Sequence, residues 1–122
     1  MYHAAILIAV HLVNLCPKPL DLPRLVDCIA IVENNPSMGP GGVLGWTKAA
    51  WKEETNLDYG YASDYAVSRV VAQFRLAKFK IRLKEKGIEA TPAMLADCWY
   101  KGFNGAKGTD YGQRVSNLYY DK

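Results

Sequence analysis

The sequence predicts a mainly α-helical protein built as one small domain. Three observations carry this. Five stretches each open on a Ser, Thr or Asp suited to capping a helix, and the longer ones continue with apolar residues at spacings of three and four. No run of residues alternates apolar and polar as a half-buried strand would. Half of the 122 residues are hydrophobic, which is enough for one core and too little for two comfortable ones.

The elements follow in order. Residues 1–17 contain no Lys, Arg, Asp or Glu, and their centre reads "AAILIAVHLVNLC". This stretch is shorter than the ~20 apolar residues of a usual membrane span. It fits the apolar part of a secretion signal, although no basic residue precedes it and no small-x-small cleavage site follows. The expectation is an export signal, with a helix packed on the domain as the other reading. The domain proper is expected over residues 18–122.

"DLPRLVDCIAIVEN" reads as a helix, with Asp21 as cap and Pro23 in the first turn, where its missing N–H costs little. Leu22, Val26, Ile29 and Glu33 fall on one face, so Glu33 continues an apolar stripe at its C-terminal end. "NNPSMGPGGVLGW" is a loop, dense in Gly, Pro and Asn. "TKAAWKEET" predicts a short helix capped by Thr47, and "NLDYGYAS" a tyrosine-rich loop.

The longest helix is expected over "SDYAVSRVVAQFRLAKFKIRLKEKG", from a Ser63 or Asp64 cap to Gly87. Val67, Val70, Val71, Phe74, Ala77 and Ile81 are its expected core face. Lys and Arg crowd its second half, which reads as a solvated face or, second, as contact with an anionic polymer or surface. "TPAMLADCWYKGFNG" starts with a cap and a proline, with Met94, Leu95 and Cys98 facing inward. "TDYGQRVSNLYYDK" closes the chain, capped by Thr109 or Asp110, with Val115, Leu118 and Tyr119 inward.

The residue inventory narrows the chemistry. Charged residues make up 22% of the chain and the net charge is +3, which points neither to disorder nor to a dedicated nucleic-acid binder. The only histidines, His3 and His11, lie in the N-terminal stretch, so a histidine-activated nucleophile in the domain is nearly excluded. No Cys/His set has zinc-ligand spacing, and no phosphate-cradling motif is present. No metal and no cofactor are expected. Cys28 and Cys98 could pair in an oxidising compartment, or stand as two buried thiols.

Carboxylates remain, with aromatic residues around them. A carboxylic acid in a partly apolar place can hold a proton and donate it to a leaving group, as glycoside cleavage requires. Trp46, Trp51, Tyr59, Tyr61, Trp99 and Tyr100 lie in or beside predicted loops and helix ends, where their faces could cover sugar C–H faces.

The order of these pieces resembles the lysozyme-like superfamily, in particular the goose-type lysozymes and soluble lytic transglycosylases. A helix ending in "VEN" is followed by the loop "GPGGVLGW" and the short helix "TKAAW"; later come "LADCWYKGFNGA" and "DYGQRVSNLYYD". The similarity runs from Leu20 to Asp121. It implies a small lysozyme-like helical fold, with Glu33 as the catalytic general acid and then base. It implies that the loop from Gly41 to Trp46 lines the cleft, and that Trp99 or Tyr100 sits opposite Glu33. Gly45, Trp46, Thr47, Tyr59, Trp99 and Tyr100 are the expected substrate contacts. The chain departs from the family where "GWTK" replaces a Gln-containing stretch and where the later helix reads "WYKG".

The expected activity is cleavage of the β-1,4 amino-sugar backbone of peptidoglycan, by a secreted or cell-envelope monomer with no nucleic-acid partner and no stable membrane span. A non-catalytic glycan-binding protein of the same fold, and a basic helical interaction domain, are the alternatives. Asp58, Asp64, Glu53 and Glu54 are the candidates for a second carboxylate. If none partners Glu33, transglycosylase chemistry is favoured over hydrolysis.

Overall fold

The computed structural model describes residues 19–105 and 107–121. The apolar N-terminal stretch, with His3, His11 and Cys16, lies outside the described residues, and so do the two readings made of it. The described residues form five α-helices and two short 3-10 turns, and no strand occurs among them. The predicted mainly α-helical fold is what the chain adopts.

Helix α1 spans Leu22–Glu33. Asp21 caps it by accepting a hydrogen bond from the Arg24 N–H at 3.1 Å, and Asn34 ends it in a left-handed conformation (φ 50°) that Asn tolerates better than most residues. Leu25, Val26, Cys28 and Ile29 are buried. The stripe that predicted a half-buried Glu33 therefore exists: Val26 and Ile29 enter the core, while Leu22 and Glu33 are partly covered. Helix α2, Lys48–Glu54, is capped by Thr47 and buries Trp51, whose Nε1–H donates to the Leu57 carbonyl at 2.8 Å. The tyrosine-rich segment, read as a loop, is a 3-10 turn over Tyr59–Ser63 capped by Asp58.

Helix α3, Tyr65–Glu85, is capped by Asp64 and ends in a Schellman motif. The Ile88 N–H donates to Leu83 O and the Gly87 N–H to Lys84 O, with Gly87 at φ +75°. Its core face differs from the expected one. Ser68, Val71, Ala72, Leu76, Phe79 and Leu83 are buried, whereas Val70, Phe74 and Ile81 are exposed. The helix carries two opposed apolar stripes. The stripe that turns inward is the one with small residues at Ser68 and Ala72, and Ser68 Oγ there accepts the Trp46 indole N–H at 3.1 Å.

Helix α4, Pro92–Lys101, is capped by Thr91 and buries Leu95, Ala96, Asp97 and Cys98; Met94, expected inside, is 39% exposed. Helix α5, Asp110–Tyr120, is capped by Thr109 and buries Val115, with Leu118 and Tyr119 packed partly against the core. The Thr109 hydroxyl also donates to the buried Asp97 carboxylate, fixing the start of α5 on α4. Gly112 lies against α4 so closely that a Cβ there would sit 2.7 Å from the Ala93 carbonyl oxygen.

Helices α1 and α5 run antiparallel. At one end the Arg24 guanidinium donates to the carbonyls of Tyr119 (2.9 Å) and Asp121 (2.6 Å). At the other end, Glu33 meets Tyr111. The core between the helices is made chiefly of Leu25, Ile29, Leu44, Trp51, Leu76, Leu95 and Val115, each at most 1% exposed. Burial of this kind is worth about 1.5–3 kcal/mol per large apolar side chain and dominates the fold's stability. Cys28 and Cys98 are both buried free thiols, so the chain takes the second of the two cysteine readings and no bridge ties α1 to α4. Burial pushes both thiols above their ordinary value.

Candidate active site

Glu33 is the last residue of α1, and the chain leaves the helix at Asn34 directly into the Gly-rich loop. Each carboxylate oxygen has its own donor. The Tyr111 hydroxyl, from the first turn of α5, donates to Oε1 at 2.7 Å. The Asn35 amide donates to Oε2 at 3.3 Å and also to the Val43 carbonyl at 3.2 Å, linking the carboxylate to the loop. The Glu33 side chain is thus held by two groups that reach it from different parts of the chain.

The loop reaches this pair through a glycine. Gly45 has φ +68°, and a Cβ there would lie 2.7 Å from Asn35 Nδ2 and 3.7 Å from Glu33 Oε2. A side chain at this position would occupy the place of the Asn35 amide. Successive turns hold the loop in shape, Gly42 N–H to Gly39 O, Gly45 N–H to Gly42 O and Trp46 N–H to Gly41 O, all at 3.0–3.1 Å.

Glu33 opens into a pocket of about 250 Å³. Gly45, Trp46 and Thr47 of the loop, Arg75 of α3, and Trp99 and Tyr100 of α4 line it with Glu33. Five of the six expected substrate contacts are therefore gathered around the expected acid. The sixth, Tyr59, does not line the pocket; its hydroxyl donates to the Trp46 carbonyl and supports the loop from behind.

The aromatic residues differ in what they present. Trp46 is only 3% exposed, and its ring packs edge-on against Trp51 and Trp99 at centroid distances of 5.2 and 5.0 Å. Its indole is core, so it does not offer a sugar-stacking face. Tyr100 is half exposed, but Tyr111 stacks on its ring at 4.5 Å, and the Lys101 ammonium lies 4.7 Å from the ring centroid. These two neighbours cover part of the Tyr100 ring and leave less of its face free for a sugar. Burial, and then the neighbouring Glu33 carboxylate, push the Tyr111 phenol far above its ordinary value, so it remains a proton-bearing donor.

Among the described residues, Glu33 is the only carboxylate lining this pocket. The other candidates are engaged elsewhere. Asp58 and Asp64 cap helices, accepting from the Gly60 and Ala66 N–H groups. Glu53 and Glu54 each meet Arg75 at 3.0 Å, and Glu54 is also 2.9 Å from Lys78, so the charge Arg75 brings to the pocket wall is already countered. Three residues of the site carried little signal in the sequence. Asn35 had read only as part of the Gly- and Pro-rich loop, Arg75 as one of a basic run, and Tyr111 as part of the similar C-terminal ending.

A larger open groove, about 720 Å³, runs along α1 and α5 past Ile31, Gln113, Arg114 and Asn117. Its one acid, Asp121, is exposed at the chain's end, so it lacks a held acid of the Glu33 kind. A second cluster joins Asp27 to Arg69 (2.8 Å, two bonds) and to the Tyr65 hydroxyl (2.7 Å). It ties α1 to α3 and has the chemistry of a structural ion pair. Compared with known proteins, the chain matches no family model, no curated protein and no solved structure.

Proposed function

We propose that the protein cleaves the β-1,4 amino-sugar backbone of peptidoglycan, as a lytic transglycosylase with Glu33 as its acid and base. The observation that carries this reading is the single carboxylate lining a pocket, held on both oxygens by Tyr111 and Asn35. A carboxyl group beside a cleft can give its proton to a glycosidic oxygen as the C–O bond breaks, and the Tyr111 and Asn35 donors stabilise the carboxylate left behind. Glu33, now a carboxylate, then takes the proton from one of the sugar's own hydroxyls, whose oxygen attacks the anomeric carbon and closes an anhydro ring. The glutamate ends the cycle protonated, as it began, and no water is consumed.

Hydrolysis with two carboxylates needs a second acid about 5–9.5 Å away, as nucleophile or as base for a water. Among the described residues Glu33 is the one carboxylate on the pocket wall, which favours the intramolecular route. Tyr111 stabilises the orientation of Glu33, and the Gly45 turn admits a sugar edge past the loop. Thr47 and Tyr100 supply polar groups to hold substrate hydroxyl or amide groups.

The test is to incubate the pure protein with peptidoglycan and analyse the released sugars by mass spectrometry. Anhydro ends support the proposal. Reducing ends would replace it with a hydrolase, and glycan binding without release would replace it with a non-catalytic binder.

A further inference from the structure

Helix α3 turns one apolar stripe into the core and leaves a second in solvent. Val70, Phe74 and Ile81 are 48%, 55% and 58% exposed. Their spacings of four and seven set them on one line along the helix, roughly 17 Å long at 1.5 Å per residue. Large apolar side chains set along one helix line differ from the scattered ones of an ordinary surface. Helical geometry puts Lys80 and Lys84 along one border of the line and Lys78 along the other. Lys80 and Lys84 form no ion pair among the described residues, whereas Lys78 meets Glu54. Glu85, at its C-terminal end, is the one acid of α3 itself.

We infer that this face docks peripherally on an anionic phospholipid surface. The apolar line would sink into the boundary between headgroups and acyl chains, while the lysine stems follow it and carry their ammonium groups to the phosphates. The contact is a surface one, since no described helix is long and apolar enough to cross a membrane. Charge argues for this occupant over others. A second copy packed on the same face would bring Lys80 and Lys84 against their own counterparts. A single-stranded nucleic acid would want several aromatic platforms, and only Phe74 of the three is aromatic.

The test uses the full chain with vesicles of phosphatidylcholine alone or mixed with phosphatidylglycerol, read by co-sedimentation. Binding is expected to the mixed vesicles only, and to weaken as salt is added. Phe74→Ser with Ile81→Ser should lower the vesicle partition coefficient by roughly tenfold. Lys80→Gln with Lys84→Gln should lower it by at least about tenfold. All four positions are exposed, so unchanged melting curves are expected for both variants. The emission of a Phe74→Trp variant should shift to the blue when mixed vesicles are added, and less so with phosphatidylcholine vesicles alone. The inference is overturned by equal binding to both vesicle types or by unchanged binding of both double variants. A dimer that the serine variant dissolves, or salt-sensitive nucleic-acid binding that the glutamine variant loses, would also overturn it. Glycan cleavage does not enter the readout.

Discussion

Replacing Tyr111 with Phe removes one hydroxyl and keeps the ring stacked on Tyr100 at 4.5 Å. The hydroxyl donates to Glu33 Oε1 at 2.7 Å, a distance typical of a hydrogen bond to a charged group. Such a bond is worth about 1.5–3 kcal/mol. If that energy stabilises the carboxylate that develops on Glu33 as its proton passes to the glycosidic oxygen, its loss lowers kcat/KM by roughly 10- to 150-fold at 1.36 kcal/mol per factor of ten. Stability should change much less, because the ring remains and Asn35 still holds Oε2; a fall in Tm of no more than about 5 °C is expected. The Tyr111 phenol lies far above its ordinary value, so it donates throughout the range of about pH 5 to 9, and the deficit of the variant should be constant across it. The assay is release of soluble fragments from cell-wall substrate, at several pH values, with melting curves recorded in parallel. A folded Tyr111→Phe protein within twofold of the parent rate would refute that role. A deficit confined to alkaline pH would refute it as well.

Gly45→Ala places a Cβ 2.7 Å from Asn35 Nδ2 and forces a non-glycine residue into a left-handed turn, a strain of roughly 1–3 kcal/mol. It should cost activity out of proportion to its loss of Tm, and equal residual activity at a temperature where both proteins are folded would contradict the role given to this turn. Asp27 is held below its ordinary value of 3.8, chiefly by hydrogen bonds from Arg69. Its folded value is therefore the lower one, and the stability it contributes is present above pH 3.8 and lost as pH falls through the folded value. The Tm gap between the parent and Asp27→Asn should be constant near neutrality and close in acid; a gap that widens in acid would reverse the sign. Both side chains are about a third or more exposed, which keeps that gap modest. Cys28 and Cys98 should resist alkylation in the native protein and react after denaturation without reductant. A linked pair of peptides carrying Cys28 and Cys98 in an unreduced digest would show a bridge instead.

The caps made most helix bounds legible. Asp21, Thr47, Asp64, Thr91 and Thr109 each bond an N–H two or three residues ahead, which is chemistry contained in a few residues of sequence. The partly covered place of Glu33 was readable for the same reason, since one helix period sets it. The Tyr111 contact was not, because it joins residues 78 positions apart and depends on α1 and α5 running antiparallel. The face of α3 was misjudged because Val70, Phe74 and Ile81 match Leu76, Phe79 and Leu83 in apolarity. Only the fit around Trp46 and Ser68 decides which stripe goes inward. Trp46 itself read as a loop aromatic free to meet sugar, yet its ring lies between Trp51 and Trp99 and only part of it can reach the pocket.

The central claim is that Glu33 alone supplies both proton transfers. Peptidoglycan digested by the parent protein and by Glu33→Gln, with products resolved by mass spectrometry, tests it most directly. The parent should release anhydro-ended fragments, and the variant, folded to the same Tm within a few degrees, should release none above background. Anhydro products from Glu33→Gln at the parent rate, or water-derived reducing ends from the parent, would contradict the account.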